Sequence, residues 1–117
     1  LSIIGFDIIL NGSVKVTQNV NIFANDHSFI VSNAINSNGG AGTQVTINAS
    51  GDESDVTLNA DVTGHTVNIT AGRNIIDDRD QTTKITGYDI NLTAGNNIGD
   101  FDLTLDNPLL TIDRLID

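Results

Sequence analysis

Four stretches of the chain share one alternation of apolar and polar positions. They are Val20-Asn21-Ile22-Phe23-Ala24-Asn25, Val45-Thr46-Ile47-Asn48-Ala49-Ser50, Val67-Asn68-Ile69-Thr70-Ala71-Gly72 and Ile90-Asn91-Leu92-Thr93-Ala94-Gly95. Their first residues are separated by 25, 22 and 23 positions. Each reads apolar, polar, apolar, polar, Ala, then small or polar, with Phe23 standing where the other copies have Asn or Thr. A period of two predicts a strand with one buried face and one wet face. Val, Ile and Thr, stiff at χ1, suit that pleated surface. A fifth copy, Val56-Thr57-Leu58-Asn59-Ala60-Asp61, falls at the half-period, and looser copies lie at residues 8–10 and 101–106. Two longer phrases recur as well. Ala71-Gly72-Arg73-Asn74-Ile75 returns as Ala94-Gly95-Asn96-Asn97-Ile98, and Gly5-Phe6-Asp7-Ile8 matches Gly87-Tyr88-Asp89-Ile90.

Short strands at regular spacing fit a sandwich or barrel as well as a solenoid. Near-constant separation of similar copies favours the solenoid, whose coils repeat as sandwich strands do not. The expected fold is therefore all-β: a right-handed parallel β-helix of 22–25 residues per coil, four to five coils in all, with two or three short strands per coil. Val20, Val45, Val67 and Ile90 would form one inward column, and Ile22, Ile47, Ile69 and Leu92 a second. Ala24, Ala49, Ala71 and Ala94 would form a third, where the wall turns a corner and only a small side chain fits. Residues 36–44, rich in Asn and Gly, and the charged stretch 77–81 read as enlarged loops, and Pro108 as a turn. No sustained helical stripe occurs. Residues 1–117 read as one repeat segment, with strand-like apolar residues at both ends and no signal-peptide pattern. The expectation is a piece of a longer chain, flanked by further coils or caps.

Composition narrows the functions. Five Lys and Arg stand against 15 Asp and Glu, for a net charge of −10. Phosphate backbones and anionic membrane surfaces both demand cations, so neither nucleic acid nor such a surface is an expected partner. No run approaches the ~20 apolar residues that span a bilayer. The absence of Cys removes disulfides, thiolate zinc sites and thiol catalysis.

Possible chemistry is sparse. The acidic groups Asp52-Glu53-Ser54-Asp55, Asp77-Asp78-Arg79-Asp80 and Asp100-Phe101-Asp102 with Asp106 offer oxygens for calcium. None has EF-hand spacing, and Gly39-Gly40-Ala41-Gly42-Thr43-Gln44 ends in Gln where the calcium-binding nonapeptide of other solenoids needs Asp. They read as solvated loop charges that keep a rod soluble and discourage sideways pairing. Pectin-degrading β-helices carry Asn-Thr-Asp, Asp-Asp, Gly-His-Gly and Arg-Ile-Lys in that order. Here Gly64-His65-Thr66 precedes Asp77-Asp78, and the other two motifs are missing. His27 and His65 read as exposed turn residues, 38 positions apart. No nucleophile elbow or phosphate loop is present. The expectation is no catalytic residue, no metal and no cofactor. Asn rows would form hydrogen-bonded ladders along the rod. Phe23, an aromatic in a polar row, is the one side chain singled out as a partner contact.

The phrases Asn68-Ile-Thr-Ala-Gly-Arg-Asn-Ile75 and Asn91-Leu-Thr-Ala-Gly-Asn-Asn-Ile-Gly99, followed by Asn107-Pro108-Leu109-Leu110, resemble the repeats of filamentous-haemagglutinin-like adhesins exported by two-partner secretion. The resemblance runs over roughly residues 45–112. It implies a β-helical stalk at the bacterial cell surface, no catalysis in the repeats, and a receptor or glycan on a host or neighbouring cell as partner. The expected function is a structural stalk or adhesive shaft. The alternatives are a carbohydrate-active β-helix and a self-associating extracellular filament unit.

Overall fold

Alternation in a parallel sheet is unusual, because such sheets are commonly covered on both faces. A solenoid resolves this by winding the sheets around a single core. In a computed structural model, which describes residues 1–77, 83–99 and the backbone of 111–114, the chain does so. The strands, in chain order, begin with β1 (Ser2–Gly5), β2 (Val14–Val16), β3 (Val20–Ala24), β4 (Phe29–Val31) and β5 (Ile35–Ser37). They continue with β6 (Gln44–Ala49), β7 (Val56–Leu58), β8 (Val62–Thr63), β9 (Thr66–Ala71) and β10 (Asn74–Asp77). The last are β11 (Lys84–Thr86), β12 (Asp89–Ala94), β13 (Asn97–Ile98) and β14 (Thr111–Arg114).

Three parallel sheets result. The first face stacks β1, β3, β6, β9 and β12, the second β4, β7, β10 and β13, and the third β2, β5, β8, β11 and β14. About four turns carry the chain from first face to second to third and on to the next coil. No helix occurs among the described residues. The inward columns fall as the alternation predicts. Val20 pairs with Val45, Val45 with Val67 and Val67 with Ile90. Ile22, Ile47, Ile69 and Leu92 share a second register, and Ala24, Ala49, Ala71 and Ala94 a third. Val20, Ile22, Val45, Ile47, Val67 and Ile69 are fully buried, and each such side chain contributes roughly 1.5–3 kcal/mol. Phe29, Val31, Val56, Leu58 and Ile75 fill the core from the second face, and Ile35, Val62 and Ile85 from the third.

Several expected boundaries shift. The half-period copy at Val56 does not repeat the first face; it forms β7 on the second, paired with β4 and β10. The upstream copy is Ser2–Gly5, which pairs with residues 21–24, and not residues 8–10, where Leu10 is buried without strand pairing. Gly5-Phe6-Asp7-Ile8 and Gly87-Tyr88-Asp89-Ile90 are not equivalent either. Gly5 ends a first-face strand beside Ala24, whereas Gly87 and Tyr88 precede one. The loop read at 36–44 contracts to 38–43, because Asn36 and Ser37 belong to β5 and Gln44 opens β6. Asp77 closes β10, and the remainder of the charged stretch 77–81 lies outside the described residues, as do residues 101–106 and Pro108.

Corners set the spacing between faces. After Ala71 and Ala94 the first face turns into the second in two residues, Gly72-Arg73 and Gly95-Asn96. A Cβ on Gly72 would run into the Gly51 carbonyl, and one on Gly95 into the Gly72 carbonyl. Glycine is required there by close approach of stacked coils.

Candidate functional site

Phe23 lies on the outer side of the first face, in the row Ile4–Phe23–Asn48–Thr70–Thr93. It is half-buried between an exposed Ile4 and Asn48. The neighbouring outer row carries the expected amide ladder. Asn91 Nδ2 donates to Asn68 Oδ1 at 2.9 Å, and Asn68 Nδ2 reaches diagonally to Gln44 Oε1 at 3.3 Å.

The acidic stretch 52–55 divides by environment. Asp52 and Glu53 are exposed, Ser54 is buried, and Asp55 is locked into the corner between the first and second faces. Arg73 donates to both Asp55 carboxylate oxygens, Nε at 3.0 Å and Nη2 at 2.7 Å. The Asn74 backbone N–H and its Nδ2 each add a bond of 3.0 Å to Oδ1. The Arg73 hydrogen bonds hold the Asp55 carboxyl below the usual carboxylate range; burial opposes them, and the Arg73 charge and the Asn74 donors reinforce them. The same pair pushes the Arg73 guanidinium up. A corner column emerges from the register: Ser28 Oγ accepts from the Asp55 N–H, and Asp55 Oδ1 from the Asn74 N–H. It breaks at the next coil, where the Asn97 N–H turns to the Arg73 carbonyl and Asn74 Oδ1 is buried without a partner. The four hydrogen bonds tie the Asp55 carboxylate into the corner, and a general acid in glycoside cleavage needs the opposite shift.

His27 and His65 are both turn residues, at different corners. His27 stands edge-on to Phe6, ring centroids 5.7 Å apart, with Nε2 3.6 Å from Asp7 Oδ1. His65 is half-buried rather than exposed and stacks on Tyr88, centroids 4.8 Å apart at 29°. The fragment Gly64-His65 and the backbone of Asp77 lie on different parts of the coil, and Asp78 lies outside the described residues. His65 lies where the third face turns into the first, and Asp77 ends a second-face strand. No group of three or more metal-binding side chains occurs among the described residues.

The His65–Tyr88 stack borders a groove of about 260 Å³ at the corner between third and first faces. Two-residue turns, Gly64-His65 and Gly87-Tyr88, make this corner in successive coils, while the six-residue loop 38–43 walls it on the preceding coil. Thr63 and Thr86 line the third-face side, and Asn38 and Gly40 the loop side. The glycines allow the fold: a Cβ on Gly64 would meet Val45 Cγ2 at 3.0 Å, and one on Gly87 the Gly64 carbonyl at 2.9 Å. The stack escapes a reading by sequence similarity, because His and Tyr are unlike. A spacing signal was there: both residues follow a Gly and stand 23 positions apart, the length of one coil. Comparison with protein-family models, curated proteins and solved structures finds no match to this chain.

Proposed function

We propose that the chain is a non-enzymatic shaft segment of a secreted bacterial surface protein, holding a receptor or glycan contact of a host or neighbouring cell at a fixed distance. The column Val20–Val45–Val67–Ile90 carries this reading. When each coil presents the same inward row, it templates the next, and length is added without a new core. Cross-coil hydrogen bonds then make the stack a stiff spacer, while corners and loops are free to vary. The resemblance of the Asn-Leu/Ile-Thr-Ala-Gly phrases to two-partner-secretion adhesins supports the extracellular setting. Phe23 and the loop 38–43 are the proposed outward contacts on this reading. Ile4, Phe6 and Ile9, at 68%, 62% and 78% exposure, support further coils or a cap packing against the first coil.

Beads coated with the chain should attach to epithelial or bacterial cells, with soluble chain competing. Absence of attachment across both cell types overturns the adhesive reading. Release of reducing ends from plant or bacterial polysaccharides would replace it with a carbohydrate-active one. The exposed apolar first coil also favours a second reading, self-association into a filament. Light scattering that grows with concentration would support that reading, and a constant monomer mass would remove it.

A further inference from the structure

The groove beside His65 and Tyr88 has three properties that together define a ligand class. Its floor is aromatic and backed: Tyr88 is 44% exposed, and its ring rests on the imidazole of His65. Such a ring is oriented before anything binds, so little side-chain entropy is lost on contact. Its rim is polar but uncharged. Asn38 and Thr63 offer amide and hydroxyl groups, and among the described residues none of the lining side chains is Lys, Arg, Asp or Glu. Finally, it is open and runs across three successive coils, from the loop 38–43 past Gly64 to Gly87. An enclosed apolar pocket buries most of a small molecule; an open channel along the rod suits an extended one.

We propose that this corner binds an uncharged oligosaccharide, its sugar rings lying along the solenoid axis with one ring stacked on Tyr88 and hydroxyls bonded to Asn38 and Thr63. The apolar C–H face of a pyranose matches an aromatic ring, and its equatorial hydroxyls match an uncharged amide and hydroxyl rim. Coils rise by about 4.8 Å, close to the advance per sugar of an extended β-1,4-linked chain, so successive rings meet successive coils. Acidic polysaccharides are disfavoured by a chain of net charge −10 with no cation among the described side chains that line the groove. The inference rests on the adhesive reading for its biological sense, since it names the partner class of the shaft, but binding at the groove is measurable apart from it.

Tyr88 is the single Tyr and there is no Trp, so emission excited at wavelengths that the four Phe do not absorb reports on Tyr88 alone. Titration with cellotetraose, chitotetraose and mannotetraose should give a saturable change with at least one of them, and polygalacturonate none. Tyr88→Ala, followed by calorimetry because its fluorophore is gone, should weaken binding by about tenfold. Tyr88→Phe and Tyr88→Trp should retain it within about threefold, and all variants should keep the wild-type β circular dichroism. No saturable response to any of the three neutral sugars overturns the proposal, as does unchanged affinity in Tyr88→Ala or preference for polygalacturonate. Binding without cell attachment would leave this site standing and remove the adhesive reading. Binding with release of reducing ends would keep the site and make the chain an enzyme.

Discussion

At the scale of single residues, the chain separates side chains that fill the core from side chains that lock a corner. Asp55 is the clearest of the second kind: four hydrogen bonds from Arg73 and Asn74 converge on its carboxylate. Because its folded pKa is lowered from 3.8, its stabilisation is complete above about pH 4 and is lost as pH falls through the lower folded value. Asp55→Asn should therefore cost about 1–3 kcal/mol at pH 7, and the difference from the parent should shrink at an acid pH below the folded value. Urea denaturation at the two pH values checks this; equal differences at both would show that the charge is not what matters. The three carboxylates at 52, 53 and 55 looked alike as sequence, and only the turn that buries Ser54 and points Asp55 at Arg73 distinguishes them.

Elements differ in how tightly they are bound to register. The first-face strands were legible in detail, because an inward Val, Ile and Ala at alternate positions repeats coil after coil. On the second face only β7 was legible, as the half-period copy at Val56, and on the third face β8, with two residues, is too short for a period to show. Corners follow the same division. The loop 38–43 carries Gly40 and Gly42 at φ of +85° and +90°, in open space, and tolerates length. The two-residue corner Gly64-His65 packs on Val45 and does not. Inserting four Gly/Ser residues between Gly40 and Ala41 should change stability by less than about 1 kcal/mol, since loop closure grows only slowly with length. The same insertion between Gly64 and His65 should lower the urea midpoint far more, by disturbing both stacked neighbours. Equal midpoints for the two variants would contradict this division of corners.

For the molecule as a whole, stability is approximately a sum over coils and their interfaces. Placing a second copy of residues 67–89 directly after Asp89 should lengthen the solenoid by about 4.8 Å and raise both the urea midpoint and the denaturant slope. Small-angle scattering and equilibrium unfolding would register the two effects. An unchanged maximum dimension would mean the added coil does not stack. The first coil is the exception to uniform stacking. Ile3 and Ile22 are paired at a separation of 19 residues, against 25, 22 and 23 for the coils that follow, and residues 6–13 add no strand to the second face. Sequence similarity alone placed that coil wrongly, because Gly5-Phe6-Asp7-Ile8 imitates a downstream corner while Ser2–Gly5 does the pairing.

Repetition of the alternating rows determined, from sequence by itself, that the chain is all-β, that it winds, and which residues face inward. This is so because period two and a fixed coil length are each written in local residue order. The third strand per coil, the Asp55 lock and the His65–Tyr88 stack were decided only by tertiary structure. Each depends on residues from different coils meeting at a corner, where glycine clearance and backbone direction set the distance. That information is absent from any single repeat and arises only when neighbouring coils are superposed.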